Sequence, residues 1–179
     1  NDHMHNLNYV DLANEALPEE VYNKGLWHRS VHIWIMNCNQ ELLVQKRNPL
    51  KKTFPNLWAI SSAGHVIAGE NSVQSGLREL KEELDIDADA SELEFLFTIK
   101  RVQPYKDSYI RVFDDVYLLH KDLNVEKTKL QVEELTDIKY VYYEYLEDIF
   151  KEGDKDYVPY TEEHKKLFSI LADRNLEVI

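Results

Sequence analysis

Residues 64–86, GHVIAGENSVQSGLRELKEELDI, combine a glycine-flanked segment with a strongly acidic one. Gly64–Gly69 is predicted to form a loop because glycines bound it. A helix is predicted over Val73–Leu84, because the apolar residues at positions 73, 77, 80 and 84 share one helical face. Asn71 or Ser72 is suited to cap its first turn. The segment therefore reads as a loop that leads into an amphipathic helix.

Three carboxylates share a second face of this predicted helix. At about 100° per residue, Glu79, Glu82 and Glu83 cluster roughly opposite the apolar face. Like charges three or four residues apart cost an isolated helix about 0.2–0.5 kcal/mol per pair. A solvated acidic face would explain the pattern, and Arg78 favours that interpretation because it can pair with Glu82. The alternative is a cation site, since Mg²⁺ prefers oxygen ligands.

The spacing of these residues resembles that of a known family. Gly64, Glu70, Arg78-Glu79, Glu82-Glu83 and Ile86 reproduce the Nudix box, G-x5-E-x7-R-E-U-x-E-E-x-G-U, where U is aliphatic. The late glycine of the box is Asp85 here, at a position just after the helix where left-handed backbone is common. The resemblance implies an α/β protein with the Nudix fold, an α/β/α sandwich with a mixed β-sheet.

The same resemblance implies a metal site. Its ligands for Mg²⁺ (or Mn²⁺) would be the Gly64 carbonyl and the carboxylates of Glu70, Glu79, Glu82 and Glu83. Glu79 would act as a ligand or as the general base, Arg78 would orient the carboxylates, and Glu82 is a further catalytic candidate. The identity of the base stays open. Such a metal polarises a phosphoryl oxygen and activates water.

The likeness extends from about Leu26 to Asp148 and is strongest to the Nudix branch that includes isopentenyl-diphosphate isomerase and its hydrolase relatives. That isomerase uses a catalytic cysteine immediately before the Gly-His that corresponds to Gly64-His65, and Ala63 stands there in this chain. The single cysteine, Cys38, falls in a predicted hairpin turn. An alanine methyl cannot perform the proton transfers of a thiol. The missing thiol favours a hydrolase.

Residues that match the isomerase's metal ligands divide into two groups. His28 and His65 match two of its histidines, whereas Ile110 and Val112 fall where it has glutamates. We expect His65 to contact metal or phosphate, or to be a neutral, hydrogen-bonded histidine.

A basic segment contains Lys46, Arg47, Lys51 and Lys52. Arg47 and Lys51 match positions that hold the diphosphate in the isomerase. A phosphate clamp is one hypothesis for this segment, and solvated loop charge is the other.

Three further carboxylates are open to more than one interpretation. Glu134 resembles an acidic position of this branch and would add a ligand or base, or lie in an exposed turn. Asp114 and Asp115 are adjacent in a predicted strand, where alternation directs one of them inward. The pattern does not distinguish which of the two is functional.

Elsewhere the pattern alternates between strands and helices. Strands are predicted over Val31–Met36, Leu42–Gln45, Trp58–Ser61, Glu94–Ile99, Tyr109–Leu119 and Ile138–Tyr143, and helices over Tyr145–Phe150 and Thr161–Asn175. This order favours a mixed sheet covered by helices. We expect one domain over residues 1–179, with its core at about 26–150 and residues 1–4 a remnant of cloning.

Composition bounds the function further. The 179 residues include 21 Lys and Arg against 33 Asp and Glu, which gives a net charge of −12. This acidity argues against binding to nucleic acid polymers or anionic membranes, which need basic surfaces. No apolar run reaches the roughly 20 residues of a membrane-spanning helix. The single cysteine and the absence of a signal segment favour a cytoplasmic location.

The sequence thus predicts a Mg²⁺-dependent Nudix hydrolase that cleaves the diphosphate linkage of a small molecule, a nucleoside diphosphate derivative or nucleotide. An isopentenyl-diphosphate isomerase-like enzyme is the first alternative. A non-catalytic Nudix domain that binds a nucleotide or a protein is the second. The sequence makes no prediction about oligomeric state.

Overall fold

The computed structural model describes residues 9–10 and 18–177, so the predicted remnant at residues 1–4 lies outside the described residues. The elements, in chain order, are strand β1 (Tyr9–Val10), helix α1 (Pro18–Asn23), strands β2 (Trp27–Met36), β3 (Glu41–Arg47), β4 (Trp58–Ala59) and β5 (Ser62–His65), helix α2 (Ser72–Leu84), a short 3₁₀ turn (Ala90–Glu92), strands β6 (Glu94–Tyr105), β7 (Ser108–His120) and β8 (Leu135–Tyr142), and helices α3 (Tyr143–Lys151) and α4 (Glu162–Glu177). No helix in this part of the chain has the length and apolar character needed to cross a membrane.

The strands form one mixed sheet, as predicted. Its main order is β4-β3-β2-β7-β6. β2 and β7 run parallel over ten residue pairs, from Trp27 opposite Arg111 to Met36 opposite His120, while β6 and β7 form an antiparallel hairpin. β5 pairs antiparallel with β2, and β8 pairs antiparallel with β3. The predicted hairpin of β2 and β3 is confirmed, and its turn contains Cys38.

Alternation along β2 divides the core between the two faces of the sheet. Val31, Ile33 and Ile35 point to one face and pack in a cluster that includes Leu80 and Leu84 of α2. Trp34 and Met36 point to the other face and join residues of α3 and α4. Helices therefore cover both faces of a mixed sheet, which confirms the α/β/α sandwich.

Local signals set both ends of α2. The Asn71 Oδ1 accepts from the Gln74 backbone N–H at 2.8 Å, and the Gln74 side chain accepts from the Asn71 N–H at 2.9 Å. This reciprocal pair is a capping box. At the other end Asp85 adopts φ 55° and ψ 36°, in the left-handed region, and the Ile86 N–H donates to the Leu80 carbonyl. Asp85 thus takes the conformation for which the Nudix box carries glycine.

The prediction of a loop over Gly64–Gly69 is wrong at its start, because Ser62–His65 is strand β5. The four residues carry no alternating apolar pattern of their own. Backbone pairing with β2 sets their conformation, with Gly64 opposite Val31 and His65 opposite Ser30. The strand brings the first glycine of the box directly under α2.

Candidate active site

A cavity of about 920 Å³ opens beside the acidic end of α2. Its walls come from elements far apart in the chain, from α1 through β2, β5, α2, β6 and β7 to α4. Many residues singled out from the sequence line it, among them Gly64, His65, Arg78, Glu79, Glu82, Arg47, Lys51 and Glu134, whereas Glu70 and Glu83 do not. The fold therefore gathers most of the predicted site residues around one cavity.

Glu83 is buried, with 3% of its surface exposed. The Ser62 hydroxyl donates to its Oε1 at 2.6 Å, and the Ala63 N–H donates to the same oxygen at 3.2 Å. Burial raises the pKa of Glu83 to about 7 despite these hydrogen bonds. The interpretation of the acidic helix face as solvated is therefore wrong for Glu83.

Glu79 lies one turn earlier, and only 14% of its side chain is exposed. Burial first, and then the charge of Glu83, raise the pKa of Glu79 to about 8, although Arg78 opposes the shift. Its carboxyl lies against β5, since a Cβ built on Gly64 would stand 2.2 Å from the Glu79 Cδ. The absence of a side chain at position 64 makes room for this carboxyl.

Arg78 joins the acidic groups to one another. Its Nε donates to the Glu70 Oε1 at 3.0 Å, and its Nη1 donates to the Glu79 Oε1 at 2.8 Å and to the Glu82 Oε2 at 3.4 Å. Its Nη2 donates to the His65 carbonyl at 3.2 Å. The predicted pair with Glu82 is thus the longest of several contacts. The arrangement supports the role of Arg78 in orienting the carboxylates.

Gly64→Ala is expected to lower the hydrolase activity predicted from the sequence by about 10- to 100-fold, because the Glu79 carboxyl would have to move away from the new methyl. Steady-state kinetics would measure the loss. Gly76→Ala is the matched control. The atom nearest to a Cβ at position 76 belongs to the apolar Ile33 side chain, at 3.1 Å, and none of the three nearest atoms belongs to a site residue. Unchanged turnover in Gly64→Ala would show that the position of Glu79 is unimportant.

Arg47, Lys51 and Lys52 of the basic segment line the cavity, and the charges of Arg47 and Lys51 already have partners. The Arg47 guanidinium donates to the Thr53 carbonyl at 2.9 Å and to the Thr53 hydroxyl at 3.1 Å, which holds the loop after β3. The Lys51 ammonium pairs with the carboxylate of Glu134. Glu134 is partly buried in the cavity wall. Glu134 lies in the turn before β8 with 38% of its side chain exposed, so the turn that one interpretation predicted is present, and its carboxylate also faces the cavity.

His65 is held neutral in the cavity wall. Its Nε2 lies 3.0 Å from the Tyr22 hydroxyl, and its ring lies 5.3 Å from that of His28. Burial, followed by the nearby His28, lowers the pKa of His65 to about 3. His28 pairs in register with Val112, and both Val112 and Ile110 are buried apolar residues. His28 therefore has an apolar cross-strand neighbour, Val112, at a position where the isomerase has a carboxylate.

A second polar cluster lies at the cavity, and most of its residues were not predicted from the sequence. The Arg101 Nε donates to the Asp114 Oδ2 at 2.7 Å and its Nη2 donates to the Asp114 Oδ1 at 3.2 Å. The His32 Nε2 lies 3.3 Å from the Asp114 Oδ1, and its Nδ1 lies 2.7 Å from the Glu163 Oε1. Asp115 points the other way and pairs with Arg29. Only Asp114 carried a sequence signal, its place beside Asp115 in a strand.

His32, Asp114 and Glu163 have ligand atoms within 4.8 Å of one another, the one such trio in the described part of the chain. Both ring nitrogens of His32 face a carboxylate. Although burial opposes the charge, Asp114 and Glu163 raise the pKa of His32. An imidazolium that donates from both nitrogens has no lone pair for a cation, and Arg101 already takes both oxygens of Asp114. The trio is an internal ion-pair network.

Comparisons with known proteins agree with this geometry. The family described as "NUDIX domain" matches residues 26–161. The chain is 41% identical to Nudix hydrolase 3 of Arabidopsis thaliana over 87% of this chain and 21% of that protein, and 39% identical to an uncharacterized Nudix hydrolase of Clostridium acetobutylicum over 67% of this chain and 59% of that protein. The crystal structure of DR0079 from Deinococcus radiodurans superposes with a TM-score of 0.61 at 23% identity, over 79% of this chain and 81% of that one.

The chain spans about a fifth of the length of the Arabidopsis relative and less than two thirds of the clostridial one. The family match nevertheless covers strands β2 to β8, α2 and most of the cavity wall. The chain belongs to the Nudix hydrolase family.

Proposed function

We propose that this protein hydrolyses the diphosphate linkage of a nucleoside diphosphate derivative or nucleotide, with Mg²⁺ or Mn²⁺ as cofactor. One observation carries the proposal: the largely buried Glu79 carboxyl lines a cavity that also receives Arg47 and Lys51, and the Glu83 carboxyl is buried one turn further along α2. Buried acids with raised pKa values beside cationic groups are typical of catalytic sites. The alternative of a solvated helix face does not explain their burial.

The residues at α2 fit a hard divalent cation. Their donor atoms are all oxygens, as Mg²⁺ prefers, and they would be the Gly64 carbonyl and the carboxylates of Glu70, Glu79, Glu82 and Glu83. The raised pKa values of Glu79 and Glu83 show that anionic charge is unfavourable there without a compensating cation. When bound, the metal would polarise a phosphoryl oxygen and lower the pKa of a water molecule.

The chain's own residues would divide the remaining work. Arg78 holds Glu70 and Glu79 in place through its fork of N–H groups. Arg47 and Lys51 bring positive charge to the loop side of the cavity, where they would hold the diphosphate. Glu79 or Glu82 would accept a proton from the attacking water. Water would attack phosphorus, and the P–O bond of the anhydride would break.

Isomerisation of isopentenyl diphosphate is disfavoured by the wall around Ala63. No thiol lies there, and Cys38 is exposed in the β2–β3 turn, away from the cavity. Ile110 and Val112 are buried apolar residues at the positions where the isomerase has glutamates, so they cannot supply the carboxylates of an isomerase-type metal site. A purely binding role for the domain leaves the enclosed Glu79 and Glu83 without an explanation.

The test is incubation of the protein with Mg²⁺ and a panel of nucleoside diphosphate derivatives and nucleotides, with isopentenyl diphosphate included. Products would be followed by phosphorus NMR in ¹⁸O-labelled water. The expected result is cleavage of at least one nucleotide with ¹⁸O in a phosphate product, abolished by EDTA. Formation of dimethylallyl diphosphate from isopentenyl diphosphate would overturn the proposal in favour of isomerisation. Absence of any product would favour the binding role.

A further inference from the structure

We propose that Arg101 is a further anion-binding residue of the cavity, which holds phosphoryl oxygens of the substrate, and that Asp114, His32 and Glu163 position it. These four residues are called the Arg101 network below. The inference rests on the proposed function, because it assigns a further contact to the same diphosphate substrate.

Protein groups hold the Arg101 guanidinium in one orientation and leave some of its N–H groups to bind a ligand. Two of its N–H groups donate to Asp114 and a third to the Gln103 side chain. The other two N–H groups have no hydrogen-bond partner among residues 9–10 and 18–177. Arg101 lines the cavity, and 31% of its side chain is exposed. A guanidinium fixed in this way suits a phosphoryl group, which accepts two parallel N–H bonds.

The rest of the network restrains Arg101 from behind. Asp114 is fully buried, and His32 lies between it and Glu163. The Trp34 Nε1 donates to the Glu163 Oε2 at 2.9 Å and fixes the far end. The network therefore joins β6, β7, β2 and α4, with two cations balancing two anions. A side chain restrained by such partners loses little freedom when it binds a ligand.

A second arginine–aspartate pair shows that burying such a pair does not by itself place it at the cavity. Arg29 pairs with Asp115 at 3.1 Å, one residue further along the same strand but on the opposite face. That pair does not line the cavity. The two pairs have the same chemistry and both aspartates lie on β7, but the pairs differ in access to the cavity. This difference separates a binding role from a structural one.

Positive charge in the cavity also favours an anion there. Burial lowers the pKa of Arg47, and the charge of Arg101 acts in the same direction, although Glu134 and Glu83 oppose it. Two guanidinium groups that repel one another across a cavity are both stabilised when an anion lies between them. A diphosphate carries two adjacent phosphoryl groups and can contact both.

The experiment measures binding of inorganic pyrophosphate to the full chain by titration calorimetry, once with EDTA and once with millimolar Mg²⁺. Arg101→Gln is expected to weaken binding by about 10- to 100-fold, the range expected when hydrogen bonds to a charged group are lost. Asp114→Asn is expected to weaken it less, through loss of positioning. The matched control Asp115→Asn is expected to bind as the wild type does.

Folding and function are controlled separately. Arg101→Lys keeps the charge, and the double variant Arg101→Gln/Asp114→Asn removes both charges so that no carboxylate is left buried and unpaired. We expect lysine to restore part of the affinity and the double variant to remain weak at a near-native melting temperature. Equal losses in the Asp114→Asn and Asp115→Asn variants, or no binding by the wild type in either condition, would overturn the inference. If the wild type binds pyrophosphate through Arg101 but hydrolyses nothing, only the proposed function fails.

Discussion

Glu83→Gln is expected to lower Mg²⁺-dependent hydrolysis by about 1,000-fold. Glutamine has nearly the same shape and can still accept from the Ser62 hydroxyl, so the fold should be kept. It cannot supply the negative charge that holds a divalent cation. A metal contributes several kcal/mol of transition-state stabilisation, and about 1.4 kcal/mol corresponds to a factor of ten in rate. The ratio of kcat values between wild type and variant measures the effect.

The control for this variant is Glu126→Gln, which makes the same change at an exposed position in the loop after β7. It should leave kcat unchanged. The melting temperature of Glu83→Gln, measured with EDTA, should equal or exceed that of the wild type, because the neutral amide avoids the cost of burying a charge. If the Glu83→Gln protein turns over at the wild-type rate, the α2 carboxylates have no role in the chemistry.

Millimolar Mg²⁺ is expected to raise the melting temperature by about 5–10 °C at pH 8.5 and by much less at pH 5.5. A ligand at about 100 times its Kd stabilises the folded state by about 2.7 kcal/mol. In a domain of this size each kcal/mol shifts the melting temperature by about 2–4 °C. Thermal unfolding in EDTA and in Mg²⁺ at both pH values would measure the shifts.

The dependence on pH follows from the carboxyls of α2. The pKa is raised to about 8 for Glu79 and to about 7 for Glu83, from an ordinary value of 4.5, so the folded protein holds protons that the unfolded chain releases. Their contribution to stability without metal is full below about pH 4.5 and is lost as the pH rises through 7 and 8. Mg²⁺ binds the deprotonated groups and must displace protons at pH 5.5.

Ionic strength is the control for this second experiment. A potassium salt of matched ionic strength should not reproduce the shift, because general screening acts on all charges and is not specific to divalent ions. The Glu83→Gln variant should show a smaller shift than the wild type. An Mg²⁺ response equal to that of potassium, or no response, would contradict a metal site on α2.

Helix α2 could be predicted from the sequence because its signals are local. The apolar period, the cap at Asn71 and the position of Asp85 all lie within 15 residues. Strand β5 could not be predicted in the same way. Its four residues are extended because β2 offers them backbone partners. The sequence of so short a segment does not indicate that it will pair with a strand about 30 residues earlier.

The burial of the site could not be read from the helix wheel. The wheel places Glu83 opposite the apolar face, but Ser62 and Ala63 cover that side of the helix in the fold. The Arg101 network was even harder to predict from the sequence. Glu163 stands 131 residues from its partner His32, and neither residue belongs to a motif. Contacts of this kind depend on topology, which single residues do not reveal.

The position of Glu163 on α4 has a consequence for biosynthesis. The sheet can be completed once β8 has left the ribosome, but the cavity wall around His32 stays open until residue 163 follows. Contacts between residues so far apart in sequence also form slowly, because a long loop has to be closed first. A nascent chain would therefore acquire its sheet before the Arg101 network is complete.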